Sequence, residues 1–138
     1  MQFITISNID KSNYKDYIGK KVNVYGDVNL SNLNLKEIPI IFGKVTGNFD
    51  CSFNELANLT NCPETVEKNF LCGFNKLVSF KNCPKYIGKD FTFPGNDRIY
   101  MDDFPIHVGG NIIRTLDWVT STTRHLPLPN IWVGDTNK

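Results

Sequence analysis

Asp102, Asp103 and His107 stand together in the run MDDFPIH, two carboxylates shortly before an imidazole. Such a cluster can hold a metal or supply a carboxylate–histidine pair for proton transfer. The plainer reading, a solvated turn between repeated units, is preferred. Arg124 and His125 follow the Ser/Thr run 120–123 and could bind phosphate, yet a lone His–Arg pair in a polar loop is ordinarily surface. Nowhere is there a Gly-rich phosphate loop, a nucleophile elbow or a zinc signature. No catalytic residue, no metal ligand and no cofactor is assigned, and the chain is not expected to be an enzyme.

The other reactive side chains are the four cysteines, Cys51, Cys62, Cys72 and Cys83. They form no CxxC pair, so the spacing does not suit a zinc ribbon or a thioredoxin-like site. Cys51 and Cys72 are 21 residues apart, and so are Cys62 and Cys83. Equivalent positions in a repeat would stack them as small buried thiols. Core packing is therefore expected over metal or disulfide in a reducing compartment.

That spacing is the period of most of the chain. GNFDCSFNELANLTNCP (47–63) returns as KNFLCGFNKLVSFKNCP (68–84), and Gly26, Gly47, Lys68, Lys89 and Gly110 fall 21 residues apart. One apolar column runs Val24, Val45, Val66, Ile87, Val108. Four residues on, a second runs Val28, Phe49, Phe70, Phe91, Ile112, and two further on a third runs Leu30, Cys51, Cys72, Phe93. Alternating apolar residues over so short a run predict a strand with one face buried. Asn54, Asn75 and Asn96 follow, then Leu35, Leu56 and Leu77, then Ile38, Leu59, Phe80 and Met101. Cys62-Pro63, Cys83-Pro84 and Phe104-Pro105 close the units, where Pro forces an extended return.

The unit F-x-C-x-x-N-x-L-x-x-L of 49–59, matched by F-x-C-x-x-N-x-L-x-x-F of 70–80, resembles the leucine-rich repeat. Its period lies in that family's range of about 20–29 residues. The short bacterial and bacteriophage repeats, with an aromatic-x-Cys core and a Cys-Pro or Ala-Pro step, are the most similar. The resemblance covers residues 22–117. It is weaker where Leu33 replaces the Asn, where Arg98 replaces the following Leu, and where Arg114 replaces the inward Cys or Phe, at which point the regular array is expected to stop.

The fold expected is thus a repeat solenoid in one domain, with a parallel sheet on one face and irregular or 3-10 returns on the other. One unit cannot bury its apolar face alone, whereas stacked units share it. Buried Asn side chains without partners would cost about 1–3 kcal/mol each, so their column implies a hydrogen-bonded ladder. Residues 1–21 are expected to cap the array, with Phe3, Ile4 and Ile6 in an edge strand. Ser12 should cap a short helix through Ile18, ended by Gly19, with Tyr14, Tyr17 and Ile18 on one face. Residues 118–138 are read as an irregular C-terminal cap, with Trp118 and Trp132 covering the core or anchoring a partner.

Of 138 residues, 41% are hydrophobic and 21% charged, with a formal net charge of +1. Such a chain has no field with which to gather polyanions, which weighs against nucleic acid. No apolar run reaches the ~18 residues of a membrane span, and the N-terminus lacks the pattern of a secretory signal. A cytoplasmic protein is expected, in the host cytoplasm if phage-encoded.

The surface with most to offer is the open face of the sheet. Asn29, Asp50, Leu71, Thr92 and Ile113 form one outward column, Asp27, Asn48, Asn69, Asp90 and Asn111 a second, and Ser31, Ser52, Gly73 and Pro94 a third. Phe53 and Phe74 either face out beside Leu71, as an apolar patch in a polar surround, or face in as core spacers, which the repetition itself favours. Asn29, Asp50, Ser52, Phe53, Leu71, Phe74, Thr92 and Ile113 are the candidate partner-binding residues. The expected function is binding to a protein partner, which for a phage-encoded chain would be a host or defence protein. A structural role by self-association, or virion assembly, is the alternative, and a hydrolase at Asp102, Asp103 and His107 a distant third.

Overall fold

The computed structural model describes residues 2–96 and 98–115. They wind into a parallel β-solenoid of about five coils at 21 residues per coil. Each regular coil contributes two short strands. The first set, β1 (Ile4–Ile6), β2 (Lys21–Val24), β4 (Ile41–Val45), β6 (Thr65–Val66), β8 (Tyr86–Ile87) and β10 (His107–Val108), forms a six-stranded sheet. The second set, β3 (Val28–Asn29), β5 (Phe49–Asp50), β7 (Phe70–Leu71), β9 (Phe91–Thr92) and β11 (Ile112–Ile113), forms a five-stranded sheet. The single expected sheet is divided in two by a three-residue corner, such as residues 46–48, that separates the Val45-type column from the Phe49-type column.

Every neighbouring pair is parallel, and from β3 and β4 onward the register follows the repeat: Phe49 sits opposite Phe70, and Phe70 opposite Phe91. Their rings stack in the core with centroids 5.6 and 5.8 Å apart. Phe80 comes in from the return and meets Phe91, Phe93 and Phe104 edge-on at 5.2, 4.9 and 5.5 Å. Leu30, Cys51, Cys72 and Phe93 are buried side by side, as are Leu56, Leu59 and Leu77. Each fully buried Phe or Leu contributes roughly 1.5–3 kcal/mol of transfer free energy. Where Arg98 takes the leucine position it is exposed, and Ile99, the next residue, fills the core instead.

The interior asparagines form the expected ladder. Asn75 donates through Nδ2 to the carbonyls of Cys51, Cys72 and Gly73 and accepts at Oδ1 from the Leu56 N–H. Asn54 and Asn96 repeat the pattern one coil to either side. One amide thus joins two coils and satisfies backbone groups that the strand pattern leaves over.

The N-terminal segment differs from expectation in four ways. It continues both sheets, β1 pairing with β2 and Ile9 bridging to Val28, so it is a divergent coil as well as a cap. The helix is a single 3-10 turn, Tyr14–Tyr17. A four-residue element gains too few bonds to nucleate an α-helix. Ser12 does not cap it: its N–H and hydroxyl both bond Asp10 Oδ1, and Gly19, at φ 79°, ends the turn. Tyr14 and Tyr17 pack on the core, but Ile18 is exposed. The returns of the later coils are irregular. Trp118, Arg124, His125 and Trp132 lie outside the described residues, and among those described no helix is long and apolar enough to cross a membrane.

Candidate interaction surface

On the outward side of the second sheet, Asn29, Asp50, Leu71, Thr92 and Ile113 occupy successive strands in direct register. Asp10 extends the row, because its neighbour Ile9 bridges to Val28. The row changes character half-way. In the first three members the side-chain oxygen bonds the serine two residues on: Asp10 to the Ser12 N–H at 2.8 Å, Asn29 to the Ser31 N–H at 3.0 Å, Asp50 to the Ser52 N–H at 2.9 Å. The serine hydroxyls donate to the same atoms. The Ser12 hydroxyl and N–H hold the Asp10 carboxyl below the usual carboxylate range. From Leu71 on there is no such pair, and Gly73 and Pro94 replace the serines. Gly73 is required there, since a Cβ would lie 2.9 Å from the Pro94 carbonyl oxygen. Ser52 is buried with its hydroxyl committed to Asp50, so it offers a partner little.

Phe53 and Phe74 face outward, and the core-spacer reading gives way. Asn54 and Asn75 take the inward positions that follow them, which turns the preceding side chains out. Phe53 is 51% exposed and Phe74 half-buried. Their rings stack with centroids 4.6 Å apart and planes within 11°. The stack rests on the fourth coil at Gly95, where a Cβ would fall 2.3 Å from Phe74 Cδ1. Both residues have left-handed backbones, with φ of 58° and 56°. The same corner has Asn32 at 58° in the coil before and Gly95 at 78° in the coil after. For an L-residue that conformation costs roughly 1–2 kcal/mol, which Asn offsets by local bonding and Gly avoids.

The Asp27 column is more than an outward row. Asp27 Oδ1 accepts from the Asn48 N–H, and the pattern continues from Asn48 to Asn69, Asn69 to Asp90 and Asp90 to Asn111, at 2.7–3.0 Å. It is a second side-chain ladder, along the corner between the sheets. A side-chain acceptor at one repeat position in five successive coils was the available signal for it.

The reactive side chains do not assemble a centre. Asp102 and Asp103 are exposed, and His107, exposed on β10, tilts against Tyr86 with ring centroids 6.4 Å apart. Among the described residues no group of three or more His, Cys, Asp or Glu side chains could hold a metal ion. All four cysteines are free. Burial, and then a hydrogen bond with Cys51, pushes the Cys62 thiol up. Burial also raises Cys72, and pushes Cys83 to about 12. Such thiols stay protonated and are poor nucleophiles. A groove of about 510 Å³ along the return is lined by Lys44, Asn61, Cys62, Glu64 and Asn82 among others. Its ions are largely matched within the chain, Lys44 to Glu67 at 2.9 Å and Lys85 to Glu64 at 4.0 Å.

Fold and surface together define a repeat solenoid that presents a row turning from polar to apolar on one sheet and an aromatic stack at the corner after it. No protein-family model, no curated protein and no solved structure matches the chain.

Proposed function

We propose that this chain is a non-enzymatic protein-binding module of the leucine-rich-repeat type, engaging its partner through the outward face of the second sheet at Phe53, Phe74 and Leu71. The observation that carries this reading is the exposed Phe53–Phe74 stack in a corner whose backbone suits Asn or Gly. Strained residues of this kind persist where the surroundings or a function hold them. Exposed aromatic side chains in a polar surround are what interfaces use as anchors. A phage origin, with a host or defence protein as the partner, is the finer form of the proposal and rests on the resemblance of the repeat alone. The immobilised chain and its F53N/F74N variant are to be exposed to a lysate of the cell that makes it. A stoichiometric partner retained by the first and lost by the second is expected; equal retention by both would refute this surface.

Self-assembly is the second reading. It is favoured by β1, which ends the six-stranded sheet among the described residues and at which Phe3 and Ile4 are 40% and 43% exposed. An open strand edge is a template for another chain. Light scattering across a concentration series decides it, and a strict monomer removes it.

A further inference from the structure

We propose that the Phe53 end of the aromatic stack is a seat for an arginine side chain of the partner, clamped between the Phe53 ring and the Asp50 carboxylate. This rests on the binding surface proposed above and narrows the partner to a protein with an exposed cationic segment. The two rings stack along the solenoid axis, so Phe74 has one face on Phe53 and the other over Gly95. Among the described residues Phe53 is the more exposed ring of the pair, and its face away from Phe74 is turned towards the first coil, where the equivalent residue is the exposed Asn32. Three carboxylates are placed at this end of the stack, with Lys11 next to the most distant of them, Asp10. Asp50 lies three residues before Phe53, Glu55 two residues after it, and Asp10 two strands away in the row of Asp50.

Asp50 is oriented by Ser52 through Oδ1, and its other oxygen has no hydrogen bond among the described residues. Lys76 holds the position of Glu55 one coil on, two residues after Phe74, so the two coils of the stack differ in charge there. An exposed aromatic ring three residues on from an oriented carboxylate suits a planar guanidinium. Such a group can stack on the ring while its N–H fork bonds the carboxylate. An ammonium has the charge without the plane.

The repeat itself supplies substitutions that leave the fold intact. Asn32 occupies the corner of Phe53 in the preceding coil, and Asn29 makes the bonds of Asp50 to its own serine. A fluorescein-labelled hexa-arginine peptide titrated into the full chain, read by anisotropy, is the probe. Saturable binding is expected, tighter than that of hexa-lysine. D50N and F53N should each weaken it about twofold to fivefold, as an exposed ion pair and cation–π contact allow. Thermal melts of both variants should match the parent. No saturable binding to the parent, or binding that F53N leaves unchanged, would overturn the proposal. If the lysate partner is lost by F53N/F74N while hexa-arginine fails to bind, the interaction surface stands and only its cationic occupant is wrong.

Discussion

Two corners of this solenoid share a left-handed backbone and are filled by opposite kinds of residue. Before the Cys-Pro or Phe-Pro steps, Asn61, Asn82 and Asp103 have φ of 79°, 69° and 59°. These are the residues such a conformation admits at least cost. Asn61 also returns something to the fold, its Nδ2 donating to the Ile38 carbonyl. At the corner after the second sheet the sequence is Asn32, Phe53, Phe74, Gly95. The first and last obey the backbone and the middle pair do not. Stacking recovers part of the cost, since an aromatic pair is worth about 0.5–1.5 kcal/mol beyond its buried area. Yet half of Phe53 remains in water. Where the chain contradicts its own local preference, the reason must be sought outside the coil that contains it.

The largest effect expected from testing this contrast belongs to neither corner but to the amide between them. Asn75→Asp replaces a donor to three carbonyls with a carboxylate facing them. It should cost about 3 kcal/mol or more, or unfold the chain, whereas Asn58→Asp on the exposed return should be near neutral in the same denaturant melts. A loss at Asn75 no larger than at Asn58 would mean that the ladder does not join the coils.

Gly95→Ala comes next. The added methyl meets the Phe74 ring and a positive φ, so a loss of about 1–3 kcal/mol is expected. Combining it with Phe74→Ala should recover the part due to the ring, and a double-mutant cycle measures that coupling. Strict additivity would show that the stack does not rest on Gly95.

The smallest effect sharpens the comparison most. Phe53→Asn exchanges a stacked ring for a residue at ease in the corner, and the change in stability should stay within about 0.5 kcal/mol of zero. The reciprocal Asn82→Phe gains no stacking partner at its corner and should cost about 1–2 kcal/mol. If Phe53→Asn were as damaging as Asn82→Phe, the ring would be structural and the case for a binding role would weaken.

Much of this was legible beforehand, for one reason: identical positions in successive coils become neighbours in space. The buried Phe49, Phe70 and Phe91 stack, the Asn54–Asn75–Asn96 ladder and the row from Asn29 to Ile113 all follow from counting in 21s. Counting failed where direction depended on a single torsion. Phe53 and Phe74 follow a buried serine or glycine and precede a buried asparagine, and only the left-handed turn between decides that they point out. The Ser12 helix cap failed because the turn begins one residue later, with Asn13 at its N-cap and no side-chain cap bond, while the Ser12 hydroxyl is turned to Asp10.

By itself, then, the sequence determined the period, the parallel stacking and the identity of the core, because periodic burial is a property of composition along the chain. Only the tertiary structure decided that there are two sheets, that the Asp27 column is a ladder and that the Phe53–Phe74 stack faces out. Those features depend on where the backbone bends and which atoms then lie across from one another, and no residue's type specifies that alone.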